Sequence, residues 1–432
     1  MRMVLIDGEH YPDVTAWAVR TLGDVCCAVF LGGIEKVGSI ESLAEKLGIR
    51  LYYSDEYLAS LKRALMENHV EEVVDLSDEP VVTYEDRFKI ASLCLLHGVS
   101  YRGADFHFTP KPLGRVKKPS VGVIGTGKRI GKTAVSGFLA RTLKEICEPV
   151  IVTMGRGGPE QPELIPGDAE DITPEYLIEL VEGGEHAASD HLEDALTSGV
   201  KTIGCRRCGG GMAGFPFLDV VHEGVKLAES LPVDLVILEG SGATFPPYRA
   251  DAYVVVVGAK QPLTHISGYF GPLRLAFADV VVVTMADVVS ADKLEKIERI
   301  VMEVNPEADI HFTAFRPRPL GDVTGKRIGV IMTSTEAAGK ARSYLEPLGS
   351  DVVEVSGNLA NRPRLIRDLR RFERVDAVAV ELKAAAVDVV TRWALERGVE
   401  VVYLDNEPLN IDGKDLAAAF VELGKRVLEA GG

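Results

Sequence analysis

Amide side chains are nearly missing from this chain: of 432 residues only Gln161 and Gln261 are glutamine and six are asparagine. Set beside abundant Glu, Arg and Val, that scarcity is the composition expected of a thermophile. Cysteine is also sparse, with six residues, two of them adjacent at Cys26 and Cys27. That pattern excludes a disulfide framework and fits a reducing compartment. Basic residues are outnumbered, leaving a formal net charge of −16, which argues against nucleic acid as a partner and requires any anionic substrate to be drawn in by a local basic cluster. No apolar stretch reaches the length of a membrane span, and Met1-Arg2-Met3-Val4-Leu5-Ile6-Asp7 runs straight into a strand pattern rather than a leader. A soluble, cytoplasmic protein without a membrane partner is expected. Low-complexity tracts and internal repeats are absent as well.

What is present is enough apolar residue, 46%, to bury large cores in a chain too long for one ordinary domain, so two or three domains are expected. Strand-like runs alternate with helical ones throughout, and the continuous β-branched runs imply a parallel sheet covered on both faces. The fold class is α/β, with a central P-loop NTPase parallel sheet and smaller α/β domains on its N- and C-terminal sides. The boundaries expected are an N-terminal α/β domain over 1–108, a Pro- and Lys-rich linker over 109–119, a P-loop catalytic domain over 120–315 and a C-terminal α/β domain over 326–432.

The chemistry concentrates at Gly125-Thr126-Gly127-Lys128-Arg129-Ile130-Gly131-Lys132-Thr133, between the apolar run Val121 to Ile124 and the helical pattern Ala134 to Lys144. A strand feeding such a turn into a helix aims backbone N–H groups and the positive helix end at one point, which suits a nucleotide's phosphates. Thr126 stands where the pattern ordinarily has glycine, and the physics of the loop does not depend on it. Lys132 is expected to bridge the β- and γ-phosphates, the Thr133 hydroxyl to hold Mg²⁺, and Lys128 to add a second cation. The run Val233 to Leu238 ends in Glu239-Gly240-Ser241-Gly242, and an acid closing the strand beside a P-loop holds Mg²⁺ because the ion needs hard oxygen ligands. ATP and Mg²⁺ are the cofactors expected.

Two further glycine loops carry arginine: Gly155-Arg156-Gly157-Gly158-Pro159, and Cys205-Arg206-Arg207-Cys208 followed by three glycines. Arginine flanked by glycine approaches a phosphate closely and binds it through two parallel hydrogen bonds. Arg156, Arg206 and Arg207 are therefore candidates for a second polyanion, joined by Lys260 after another buried strand, with His186 or His191 as lesser ones. Cys205-x-x-Cys208 lacks two patterned partners for a zinc site. After the run Val281 to Thr284 the lysine that reads guanine is missing, which favours adenine, with Thr284 or its backbone facing the base. The roles of Asp7, Glu9, His10 and Lys383 stay open.

The P-loop spacing and the Leu238-Glu239-Gly240 strand end resemble the dethiobiotin synthetase group. Over a longer span, Ile6-Asp7-Gly8-Glu9-His10-Tyr11, the P-loop, Gly155 to Pro159, Cys205-Arg206-Arg207 and Glu239 to Gly242 together are similar to the cyclic 2,3-diphosphoglycerate synthetase family. That resemblance implies an archaeal, ATP-dependent ligase that forms an intramolecular phosphoanhydride from 2,3-diphosphoglycerate with release of ADP and phosphate, and it is consistent with a homodimer. The alternatives are a phosphoglycerate-type kinase that stops after phosphoryl transfer, and a P-loop regulatory NTPase or metallochaperone.

Overall fold

The computed structural model describes residues 1–167, 173–183, 190–382 and 386–431; His186 and Lys383 lie outside them. The chain divides into two compact units, one formed by 1–112 with 262–276 and 303–305, the other by 113–261, 277–302 and 306–432.

The first unit is built on a six-stranded sheet in the order Arg50–Tyr52, Val25–Phe30, Arg2–Ile6, Glu72–Asp75, Ser100–Arg102, His107–Phe108. All neighbours are parallel except the last pair. Each parallel step returns through a helix whose apolar stripe covers the sheet, so Val4, Ile6, Ala16, Ala28 and Leu43 share one core. Asp7, at the tip of the first strand, is buried and accepts from the Asp78 backbone N–H at 2.5 Å, from the Glu9 backbone N–H at 3.0 Å, and lies 2.8 Å from His10 Nδ1. Its carboxylate thereby ties two strand ends together. Glu9 faces Lys36 at 3.7 Å.

The second unit holds a thirteen-stranded sheet among the described residues. Its left half runs Glu163–Ile165, Thr202–Gly210, Pro149–Gly155, Leu235–Glu239, Ser120–Gly125, Ala252–Gly258, Val280–Thr284. From Thr202–Gly210 onward these strands are parallel, and the central ones are buried along their whole length, which is why they read as unbroken apolar runs. Pro216–Asp219 adds a hairpin arm to Thr202–Gly210.

The sheet does not stop where the Phe315-Arg316-Pro317-Arg318-Pro319 segment closes the P-loop region in sequence. Asp309–Pro319 is one long strand, parallel to Val280–Thr284 in its first half and antiparallel to Glu400–Asn410 in its second. The order then continues through Ala377–Glu381 and Arg327–Ile331 to Asp351–Ser356. Two prolines fit there because alternate N–H groups of a strand point to opposite sides. The Leu320 N–H donates to Tyr403 O, so residues 318 and 316 face the same partner strand while Pro317 and Pro319 face away from it.

The final helix, Leu416–Gly431, folds back across the P-loop helix Lys132–Leu143. Leu416, Phe420, Leu423 and Val427 share a core with Val135, Leu139 and Leu143.

Candidate active site

Gly131 caps the P-loop helix in the left-handed region at φ +81°, and the non-glycine Arg129 is also held there at φ +59°. These two positions curl the loop so that its N–H groups converge on the helix end. The space is tight: a Cβ on Gly131 would stand 2.0 Å from the Phe315 ring, and one on Gly258 2.5 Å from Ile130. Gly125 and Thr126 are buried, with the Thr126 N–H donating to Val256 O at 3.0 Å and its hydroxyl to Gln261 Oε1 at 2.7 Å. Gly127 packs against Gln261. Lys128 and Arg129 are exposed.

Glu239 is 1% exposed at the end of its strand. One of its oxygens, Oε1, accepts from Lys132 Nζ and from Thr133 Oγ1 at 3.2 Å, and Oε2 accepts from Thr153 Oγ1 at 3.4 Å. The structure thus brings Lys132, Thr133 and Glu239 to one point. Hard oxygen donors from a hydroxyl and a carboxylate, side by side at the mouth of a phosphate loop, fit Mg²⁺.

The arginine loops meet the same region unevenly. Arg207 is buried and donates through Nη2 to Ser241 O at 3.1 Å and Ser241 Oγ at 3.0 Å, just past Glu239, while its Nε is buried with no acceptor among the described residues. Burial, and then the nearby Arg156 guanidinium, push the Arg207 pKa below its ordinary value. Like charges held close together favour an anion between them. Arg206 is exposed, and its Nε donates to Gly158 O at 2.7 Å. Neighbours along a strand point to opposite faces, so the two arginines adjacent in sequence do not form a paired clamp. Arg206 instead braces the loop that carries Arg156.

Thr284 is fully buried and its hydroxyl donates to Ile130 O at 2.6 Å, tying the strand end to the P-loop rather than presenting a free side chain. Lys260 is exposed. His191 is buried, packed against Gly204 with Nε2 3.4 Å from Glu163. Burial under Gly224 pushes the Cys205 thiol up to about 12, whereas Cys208 is exposed.

Two residues that sequence reasoning passed over belong to this site. Phe315 packs on Gly131, a contact made only because the Asp309–Pro319 strand runs on past the P-loop. Asp194 is 0% exposed on the helix Asp190–Ser198, with the Glu239 carboxylate beside it. Burial first, and then Glu239, push its pKa well above the ordinary carboxylate range. The signal was available: Asp194 falls on the stripe formed by His191, Ala195 and Ser198, where an acid is out of place.

Residues 120–314 match the P-loop domain of cyclic 2,3-diphosphoglycerate synthetase, residues 2–109 its N-terminal domain and residues 319–407 its C-terminal domain. The curated cyclic 2,3-diphosphoglycerate synthetase of Thermococcus kodakarensis is 68% identical over 428 residues, 99% of each chain. That of Thermococcus onnurineus is 69% identical over 428 residues, again 99% of each. Among solved structures, LpxK from Aquifex aeolicus in complex with ATP covers 74% of this chain and 91% of its own at 14% identity and a TM-score of 0.40, a likeness that adds nothing to the fold described above.

Proposed function

The chain belongs to the cyclic 2,3-diphosphoglycerate synthetase family and is an ATP-dependent ligase that closes 2,3-diphosphoglycerate into its cyclic form; from that premise we propose how its own residues perform the reaction. Three regions share the work, 1–108, 120–315 and 326–432, with the chemistry in the second. The observation that carries the proposal is the convergence of Lys132, Thr133 and Glu239 at the end of the P-loop, with Arg207 and Arg156 alongside.

The obstacle is electrostatic, because two phosphates and a carboxylate repel one another and repel ATP. Gly125 to Thr133 hold the nucleotide's phosphates through backbone N–H groups, Lys132 moves from Glu239 onto the β- and γ-phosphates, and exposed Lys128 closes over them. Thr133 and Glu239 would hold Mg²⁺, which would supply countercharge to the nucleotide's phosphates. Arg156 and Arg207 hold the diphosphoglycerate. One of its phosphate oxygens attacks the γ-phosphorus in line, forming a phosphoanhydride as the bond to ADP breaks. An oxygen of its second phosphate then attacks the first substrate phosphorus, closing the ring as the transferred group leaves as inorganic phosphate. A phosphate oxyanion needs no general base, so catalysis is positioning and charge neutralisation. The reaction takes place in the cytoplasm.

Incubation with Mg-ATP and 2,3-diphosphoglycerate, followed by ³¹P NMR, tests this reading. Cyclic anhydride signals rising with equal ADP and phosphate are expected. ADP without phosphate would make the protein a kinase, and slow hydrolysis indifferent to the diphosphoglycerate would make it a switch.

A further inference from the structure

The helix Asp190–Ser198 packs along the P-loop helix. A Cβ on Gly137 would stand 3.0 Å from Thr197 Oγ1, so the two backbones approach closely there. Both helices lead back toward the starts of parallel strands and run in the same direction. One turn nearer their N-termini the same contact therefore brings Asp194 to the level of Thr133. Asp194 is 0% exposed; among the described residues no N–H or hydroxyl donates to its oxygens, and the Glu239 carboxylate is its hydrogen-bonding neighbour. Its charged surroundings are Glu239, Glu193 and Lys132.

Two buried carboxyl groups side by side hold two charges only with a cation to match them, at a cost of several kcal/mol otherwise. Lys132 is the cation beside two buried acids, and Glu239 already takes its Nζ. When phosphates arrive they claim that lysine, and the cation that faced Asp194 and Glu239 is drawn away. A small divalent ion with oxygen ligands in octahedral array is the species whose charge and ligand preference match that vacancy of charge.

We propose that Asp194 is a second protein carboxylate of the divalent-cation site, acting with Glu239 and Thr133 on the ion that accompanies the nucleotide, directly or through a bound water. The proposal rests on the assignment of Thr133 and Glu239 to Mg²⁺ made above. It makes the arrival of phosphate and of metal interdependent: the nucleotide withdraws Lys132, and the ion replaces it.

The test is calorimetric ADP binding to the full chain, in millimolar Mg²⁺ and in excess EDTA, for the wild type, Asp194→Asn and Glu239→Gln, with Mn²⁺ binding followed by EPR. Asp194→Asn is expected to weaken Mg²⁺-dependent ADP binding and Mn²⁺ affinity about 10- to 100-fold, while its affinity in EDTA stays at or above that of the wild type. If Glu239→Gln abolishes the Mg²⁺ dependence and Asp194→Asn leaves it intact, Asp194 has no part in the site and the proposal alone is overturned. If both variants keep it, the assignment of the ion to Glu239 falls too. Should Asp194→Asn fail to fold, a crystal structure of the wild type with Mg²⁺ and ADP decides the matter: an inner and outer coordination sphere that excludes Asp194 overturns the proposal.

Discussion

At the scale of single residues, Lys132 has two tasks that pull in different directions. Its side chain is 10% exposed and pairs with Glu239, itself 1% exposed, so it neutralises a buried acid before it meets any phosphate. Lys132→Ala is expected to remove roughly 3–4 kcal/mol of transition-state stabilisation and also to destabilise the fold by about 3–5 kcal/mol, because it strands a buried charge. The double variant Lys132→Ala/Glu239→Gln separates the two tasks. Its thermal midpoint should recover while its turnover stays lost, and recovery of turnover would remove Lys132 from the chemistry. The arginines divide in a similar way. Arg207→Ala should raise KM for diphosphoglycerate with little change in ATP binding. Arg206→Ala should have the smaller effect, since its guanidinium braces Gly158 from the exposed face. Steady-state kinetics with each substrate varied in turn would show equal losses if the strand pleat did not matter.

At the scale of elements, the P-loop strand and helix were legible because the signal is local: an apolar run, a glycine turn and a helical pattern lie within 25 residues of one another. What was not legible depends on neighbours distant in the chain. Arg206 and Arg207 read as equal candidates for one polyanion until strand pairing fixes which face each residue takes. Asp194 reads as one acid among three on a polar helix until that helix is laid against Gly137. Gly131 joins the local and the distant: its φ of +81° follows from the turn, but the Phe315 ring that fills the space of a Cβ comes from 184 residues later in the chain. Gly131→Ala should therefore weaken nucleotide binding more than backbone strain alone would, since both conformation and packing oppose the methyl. The double variant Gly131→Ala/Phe315→Ala tests this by calorimetry. Partial recovery of ADP affinity is expected, and no recovery would mean that the strain dominates.

At the scale of the whole molecule, the alternation of strands and helices announced an α/β protein, but not that one sheet would run from the P-loop strands to the C-terminal ones. That continuity depends on the register between Asp309–Pro319 and Glu400–Asn410, with Thr313 opposite Asn410 and Pro319 opposite Leu404, and no local pattern encodes it. Arg318 and Arg141 both reach Asp405, and Arg316 and Arg141 both reach Glu407, so the P-loop helix is fastened to the C-terminal strand by charge as well. The last helix adds an apolar cover, with Phe420 fully buried against the P-loop helix. A chain cut after Pro319 would leave that face bare and the Asp309–Pro319 edge unpaired, two conditions that promote aggregation. It should be recovered insoluble, or soluble without nucleotide binding. Phe420→Ala in the full chain is the milder version and should lower stability by about 3–5 kcal/mol, read by thermal or denaturant unfolding. Because Phe420 lies against the helix that begins at Lys132, added Mg-ADP should raise the variant's midpoint by less than it raises the wild type's. An equal shift would mean that the C-terminal cover holds the fold together without holding the phosphate loop in place.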